Sequence, residues 1–168
     1  LVADGSGSRA FVVGADTDPL AEIRLAKLAV TYHVLSRSFA KGVLSGPTRY
    51  ARWVGNGLLA VAGDDAQGQL VDGELLSDTT PSGLELLDTR TWRVRTVDPG
   101  ATRVAVAAGR ILAYGATLHG YEASGGMGLG VYAQDGTRVT HLFATEPVQR
   151  IQVDGTRAFV DGRTSTAV

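Results

Sequence analysis

Trp53-Val54-Gly55-Asn56-Gly57-Leu58-Leu59-Ala60-Val61-Ala62-Gly63 is an apolar run, an Asn-Gly pair and a second apolar run closed by glycine. Asn-Gly supplies the positive φ angles that a tight two-residue hairpin requires, so the stretch reads as two antiparallel strands. The arrangement recurs three times. Val2-Ala3-Asp4-Gly5 leads into Ala10-Phe11-Val12-Val13-Gly14, and Val106-Ala107-Ala108-Gly109 leads into Arg110-Ile111-Leu112-Ala113-Tyr114-Gly115. Gln152-Val153-Asp154-Gly155 leads into Ala158-Phe159-Val160-Asp161-Gly162. The turn glycines Gly5, Gly57, Gly109 and Gly155 are spaced 52, 52 and 46 residues apart. Hairpins returning at a period of about fifty residues mark a repeat array whose units bury their faces against one another.

The remainder of each unit repeats as well. Residues 83–97 read as strand, turn, strand, and so do residues 130–142. Asp88 and Asp135, 47 residues apart, open the two turns, where a short carboxylate bonds the backbone two residues on. Residues 23–32 fit the same slot. That equivalence decides against the helix candidate at residues 19–29, whose good helix formers run directly into the strand chemistry of Val30-Thr31-Tyr32-His33-Val34.

Four strands per unit give an all-β chain and a β-propeller of about three and a half four-stranded blades. The blades fall roughly at 1–34, 49–97 and 101–143, with a half-blade at 148–162, so residues 1–168 form one partial β-propeller domain. Val104-Ala105-Val106-Ala107 and Ile151-Gln152-Val153, flanked by Arg103 and Arg150, carry the small and branched residues suited to innermost strands. A propeller needs about four to eight blades to close, and an open array leaves sheet edges ready to pair. The expectation is therefore part of a seven-bladed propeller, its other blades upstream of Leu1 or in a partner chain. A first residue of Leu rather than Met fits a processed, trimmed or partial chain.

The unit of strand, Asp-Gly turn, strand, loop and LELLDTRTWRVRTV (residues 84–97) resembles the YVTN/WD40-like β-propeller repeats, in the superfamily that includes quinoprotein amine dehydrogenase-like propellers. The resemblance runs over nearly the whole chain and rests on pattern. No Trp-Asp dipeptide, Gly-His pair or literal YVTN string occurs. It implies a repeat protein that commonly binds without catalysis, and it leans towards an extracytoplasmic setting.

Composition narrows the function classes. With 16 Lys and Arg against 17 Asp and Glu, a net charge of −1 and a pI near 6.3, the chain has no basic surplus for phosphates or anionic lipid, which excludes a nucleic-acid binder. A 44% hydrophobic content excludes general disorder. No apolar run is long enough for a transmembrane segment. The absence of Cys removes a disulfide frame, a thiolate zinc site and a Cys nucleophile.

Three long connections, residues 36–48, 64–82 and 116–128, belong to one face of such an array, and long loops carry function more often than tight turns. Residues 64–78 hold five carboxylates and two Gln, oxygen donors suited to Ca²⁺. Asp64, Asp65 and Asp72 are the metal candidates. Their spacing departs from the Asp-x-Asp-x-Asp-Gly loop, which favours a solvated acidic loop, and no other cofactor is indicated. The third connection holds His119, Tyr121 and Glu122. His119 and Glu122 have the chemistry of an acid and base or of two metal ligands, and Tyr121 that of a stacking surface. Residues 125–130, rich in glycine, lack the strand-to-helix context of a phosphate loop. Arg103 and Arg150 complete the candidate binding residues. His33 and His141 take corresponding strand positions, a structural slot, while Trp53 and Trp92 are expected to pack between sheets. No serine sits in a nucleophile-elbow pattern.

The function expected is a non-enzymatic propeller scaffold binding a protein or ligand through its long-loop face. The alternative is a propeller-class enzyme, a lyase, lactonase or quinoprotein dehydrogenase-like protein, whose site is completed by blades outside this chain. Inner-strand ends carrying Arg103, Gln149 and Arg150 rather than a His/Asp/Glu pair favour binding. A third reading is a structural segment that assembles with the remaining blades.

Overall fold

The computed structural model describes residues 1–13, 20–35, 48–71, 74–115, 117–119, 122–162 and 166–167. Among them there is no helix, and the strands form four antiparallel meanders in chain order. Sheet 1 is β1 (Val2–Ala3), β2 (Arg9–Val12), β3 (Leu20–Arg24) and β4 (Ala29–His33). Sheet 2 is β5 (Thr48–Gly55), β6 (Leu58–Val71), β8 (Leu84–Asp88) and β9 (Arg93–Asp98), with β7 (Glu74–Pro81) paired to the far part of β6. Sheet 3 is β10 (Arg103–Ala107), β11 (Arg110–Tyr114), β14 (Leu129–Tyr132) and β15 (Arg138–Leu142), while β12 (Thr117–His119) and β13 (Glu122–Gly125) form a separate hairpin. Sheet 4 is β16 (Val148–Asp154), β17 (Arg157–Gly162) and β18 (Thr166–Ala167), one strand more than the two read from the sequence.

The turns follow the residues that compose them. Asn56 and Gly57 both have positive φ (50° and 78°), and so do Ala108 and Gly109 (48° and 69°), as a two-residue hairpin twisted to match its strands requires. Gly155 has φ 57°. The first hairpin differs from expectation: Gly7 (φ 68°), not Gly5, takes the left-handed conformation. Five residues separate β1 from β2 there, and Asp4 organises them, its carboxylate accepting from Ser6 Oγ at 2.9 Å, Ser8 N at 3.0 Å and Arg9 Nε at 3.1 Å. Asp88 and Asp135 act as their positions suggest: each Oδ1 accepts the backbone N–H two residues on, at 2.8 Å from Arg90 and 2.9 Å from Thr137.

The sheets stack face to face, β1 beside β5, β5 beside β10 and β10 beside β16. Sheets 2 and 3 are therefore covered on both faces, which is why their strands are continuously apolar rather than alternating. Leu59 and Val61 join Phe11 and Leu20 of sheet 1, while Ala60 and Ala62 on the same strand join Val104, Ile111 and Ala113 of sheet 3. Ala105, Ala107 and Leu112 turn the other way, onto Val148 and Val160 of sheet 4. Each large aliphatic side chain buried in these layers contributes roughly 1.5–3 kcal/mol.

Both tryptophans pack between sheets 1 and 2: Trp53 stacks on Phe11 at 6.0 Å and Trp92 on His33 at 3.6 Å between ring centroids. The two histidines do not share a slot. His33 faces forward to sheet 2, whereas His141 lies with Asp98 and Ala101, on the side of sheet 3 that looks back to sheet 2. A one-residue difference in register reverses the face of a strand residue, and the sequence equivalence of the two histidines misses that reversal.

Candidate functional site

Among the described residues, the tight turns gather at one end of the array and the β6–β7 and β12–β13 hairpins lie at the other. Here the structure revises one expectation: residues 64–82 are not an irregular loop. β6 continues well beyond its β8 partners and returns as β7, with register from Asp64↔Pro81 to Val71↔Glu74. The signal was present in the sequence, because Asp72-Gly73 stands between Leu70-Val71 and Leu75-Leu76, and Asp-Gly between apolar pairs is hairpin chemistry. Residues 117–119 and 122–125 pair as a second hairpin whose register sets His119 opposite Glu122. β12 runs beside β7, so the two hairpins meet at this end.

Of the residues singled out from the sequence, Tyr121 and Asp72 lie outside the described residues, as do the side chains of His119, Glu122 and Asp65. Asp64 and Arg103 are brought together at the root of the β6–β7 hairpin. Arg103 Nη1 donates to Asp64 Oδ2 at 2.8 Å and to the Thr102 carbonyl at 3.2 Å. Its guanidinium carbon lies 4.4 Å from the centroid of the Tyr50 ring, a cation–π stack. Asp64 was a candidate oxygen ligand in a stretch read mainly as a solvated acidic loop, and a guanidinium already holds one of its oxygens. The other, Oδ1, is buried without a hydrogen-bond partner among the described residues. Tyr114 stands opposite Arg103 in the β10–β11 register. Burial pushes its phenol above the usual range, and a hydrogen bond with the Ile151 backbone together with the nearby Arg103 and Arg52 charges pull it back in part. Arg150 is engaged elsewhere, with Nη2 3.7 Å from Asp161 Oδ2 and a largely exposed side chain.

Sequence reasoning missed a neighbouring cavity of about 200 Å³ between sheets 2 and 3, lined by Asp98, Met127, Tyr132, Arg138 and His141 among others. Gly130 makes room for it: a Cβ there would come within 2.7 Å of the Tyr132 ring, so the ring lies flat across the backbone. Tyr132 Oη donates to Asp98 Oδ2 at 2.7 Å, and Asp98 Oδ1 accepts from Gly100 N at 3.0 Å. Burial first, then the Asp98 carboxylate, raises the Tyr132 phenol far above its ordinary range. It is a fixed hydrogen-bond donor and not a base. His141 Nε2 donates to the Met127 carbonyl at 3.0 Å. The glycine-rich run at 125–130 was the sequence signal for this cavity, since it marks a backbone approached closely by side chains.

Chemically, these groups hold one another. Arg103 is matched by Asp64 and Tyr132 by Asp98, so what the end offers is a pre-set pattern of donors, rings and cation. Among the described residues, no three His, Asp or Glu side chains are grouped to hold a metal ion, and no helix is long and apolar enough to cross a membrane. Fold and site together define an all-β array of stacked antiparallel sheets with two projecting hairpins. No family model, curated protein or solved structure matches the chain.

Proposed function

We propose that the chain is a β-propeller-type scaffold, about three and a half blades of a larger propeller, that binds a protein through the end bearing the two hairpins and performs no catalysis of its own. Successive four-stranded meanders with their first strands side by side support the propeller reading. The observation that carries the binding role is the convergence of β7 and β12 at one end, beside the Arg103–Asp64–Tyr50 cluster. Connections longer than their neighbours on a regular scaffold are where recognition is commonly built, and stacked arginine is characteristic of interface anchors.

The test replaces residues 66–79 by Asn-Gly, which closes the hairpin two residues past its root. Affinity capture from the source organism's lysate is compared between the two chains, with melting curves alongside. The expected result is a protein retained by the parent chain, lost from the shortened one, and a melting temperature lowered by no more than about 4 °C. The same proteins retained by both chains would sink the reading.

A further inference from the structure

The cavity between sheets 2 and 3 is lined by two opposite charges that do not meet. Asp98 and Arg138 both border it, and among the described residues no ion pair joins them or gives Arg138 another carboxylate. Tyr132 stands between. Its Oη donates to Asp98 Oδ2 at 2.7 Å, and Arg138 donates to the same phenol oxygen. Charges drawn out of water are paired as a rule, and Asp98 is half-buried. It accepts from Tyr132 and, at 3.0 Å, from Gly100 N. A carboxylate accepts at about four sites, so Asp98 has acceptor capacity left.

The backbone is arranged to bring Arg138 there. Gly130 opposes His141 and Val131 opposes Thr140, so regular pairing would next set Val139 opposite Tyr132. The register shifts at this point instead. Arg138 takes the place opposite Tyr132, and Val139 is left 53% exposed. Arg138 and His141, three residues apart, thereby come to the same face, where an unbroken strand would separate them. Bulges that re-aim a side chain are characteristic of sites. Gly128 serves the same space: a Cβ there would come within 2.5 Å of His141 Nε2, so the glycine lets the imidazole close over the backbone beside the cavity.

We infer that this cavity binds a small aliphatic α-amino acid, its carboxylate on Arg138 and its ammonium on Asp98. A zwitterion gives each unpaired charge its complement, and it carries both charges on one carbon, as the two side chains are set about one phenol oxygen. A ligand of single charge leaves the other side chain uncompensated. The volume limits the size. A cavity of about 150 Å³ holds benzene, so about 200 Å³ takes an amino acid with a short side chain. Ala101, Ala113 and Met127 form the apolar part of the lining, which suits an aliphatic side chain, and Met127 can adapt to its length. The cavity lies wholly between sheets 2 and 3, whatever blades adjoin them, and does not depend on the protein-binding role proposed for the hairpins.

Isothermal titration calorimetry of the 168-residue chain with L-alanine, L-valine and L-leucine tests the inference. At least one should bind with a Kd below about 1 mM. Analogues of the tightest binder that lack its ammonium or its carboxylate (3-methylbutanoate and 2-methylpropylamine in the case of valine) should bind at least about tenfold more weakly. That is the scale of one hydrogen bond to a charged group. Arg138→Gln, at an exposed position, should leave the circular dichroism spectrum unchanged and reduce the amino acid to no better than its amine analogue. Asp98→Asn should reduce it to no better than the carboxylate analogue. No amino acid bound below about 1 mM would overturn the inference. So would an analogue that binds as tightly as the amino acid, or an affinity that survives either substitution.

Discussion

The junction between sheets 1 and 2 and the junction between sheets 2 and 3 share sheet 2 but differ in the contacts that fill them. Between sheets 2 and 3 the layer is small and aliphatic: Ala60, Ala62, Leu84 and Leu86 against Val104, Ile111 and Ala113. Polar links cross it at the margins: Tyr132 to Asp98, Arg103 to Asp64 and Asn56 to Gln134. Between sheets 1 and 2 the aliphatic residues are joined by two aromatic stacks, and a network of charges internal to sheet 1 faces the layer. Glu22, 3% exposed, receives His33 Nε2 at 2.6 Å and lies 3.6 Å from Arg9 Nη1. Arg9 in turn reaches Asp4 at 3.1 Å. A layer of methyl groups is insensitive to pH and gains in proportion to area. A network of charges and rings is directional, and it is only as stable as its protonation states. Charge therefore braces sheet 1 internally while rings carry its contact with sheet 2, whereas sheet 3 meets sheet 2 through packed aliphatic residues tied at the margins by polar links.

The largest expected effect tests the packed side. Leu86, 1% exposed, fills the layer between sheets 2 and 3. Leu86→Ala should cost about 3 kcal/mol in urea unfolding, from lost transfer energy and the cavity left behind. A loss below about 1 kcal/mol would mean that the layer collapses around the gap, and that packing does not hold this junction.

The charged network within sheet 1 is tested by acid. Burial alone would raise the Asp4 carboxyl, but hydrogen bonds from Ser6, Arg9 and Ser8 outweigh it and hold the group at about 2, against an ordinary value of 3.8. A lowered folded-state value means that the stabilisation is complete above about pH 4 and is lost as pH falls towards 2. Its size is on the order of 1 kcal/mol, discounted for the partial exposure of Arg9. Hydrogen exchange should show the β1 and β2 amides losing protection over that window before those of β10 and β11. Asp4→Asn should give the loosened sheet 1 already at neutral pH. Simultaneous loss in both sheets, unchanged by Asp4→Asn, would show that the Asp4 network does not brace sheet 1.

The strand content and the four-stranded meanders were legible because they are local. Asn56-Gly57 dictates a hairpin whatever surrounds it, and Asp88 and Asp135 cap their turns within two residues. Facing was harder. Whether His33 and His141 point forward or back depends on a single residue of register, which bulges such as that between Val131 and Tyr132 alter without a mark in the sequence. The site was legible in half. Arg103 and Asp64 were both marked, but as a binding residue and a metal ligand. That they neutralise each other across 39 positions of sequence follows only once β6 and β10 are side by side. Tyr132 and Asp98 gave no local sign, since a buried tyrosine in an apolar strand reads as core until its partner is seen.

The smallest effect concerns the turns that link the junctions. Asn56-Gly57 and Ala108-Gly109 adopt the same pair of positive φ angles, with Asn56 at 50° and Ala108 at 48°. Asn tolerates that conformation because its short amide bonds locally, whereas the Ala Cβ crowds the following carbonyl at a cost of roughly 1 kcal/mol. Asn56 does more than turn the chain: its Nδ2 donates to Gln134 Oε1 at 2.9 Å, tying a turn of sheet 2 to one of sheet 3. Ala108 is exposed, and among the described residues no side-chain bond ties it to sheet 4. Ala108→Asn should therefore relieve strain and raise stability by about 0.5 kcal/mol in urea unfolding. Asn56→Ala should cost more than that gain, because it introduces the same strain and also breaks a bond across the junction. Equal and opposite shifts would show that the Asn56–Gln134 bond adds nothing to the junction of sheets 2 and 3.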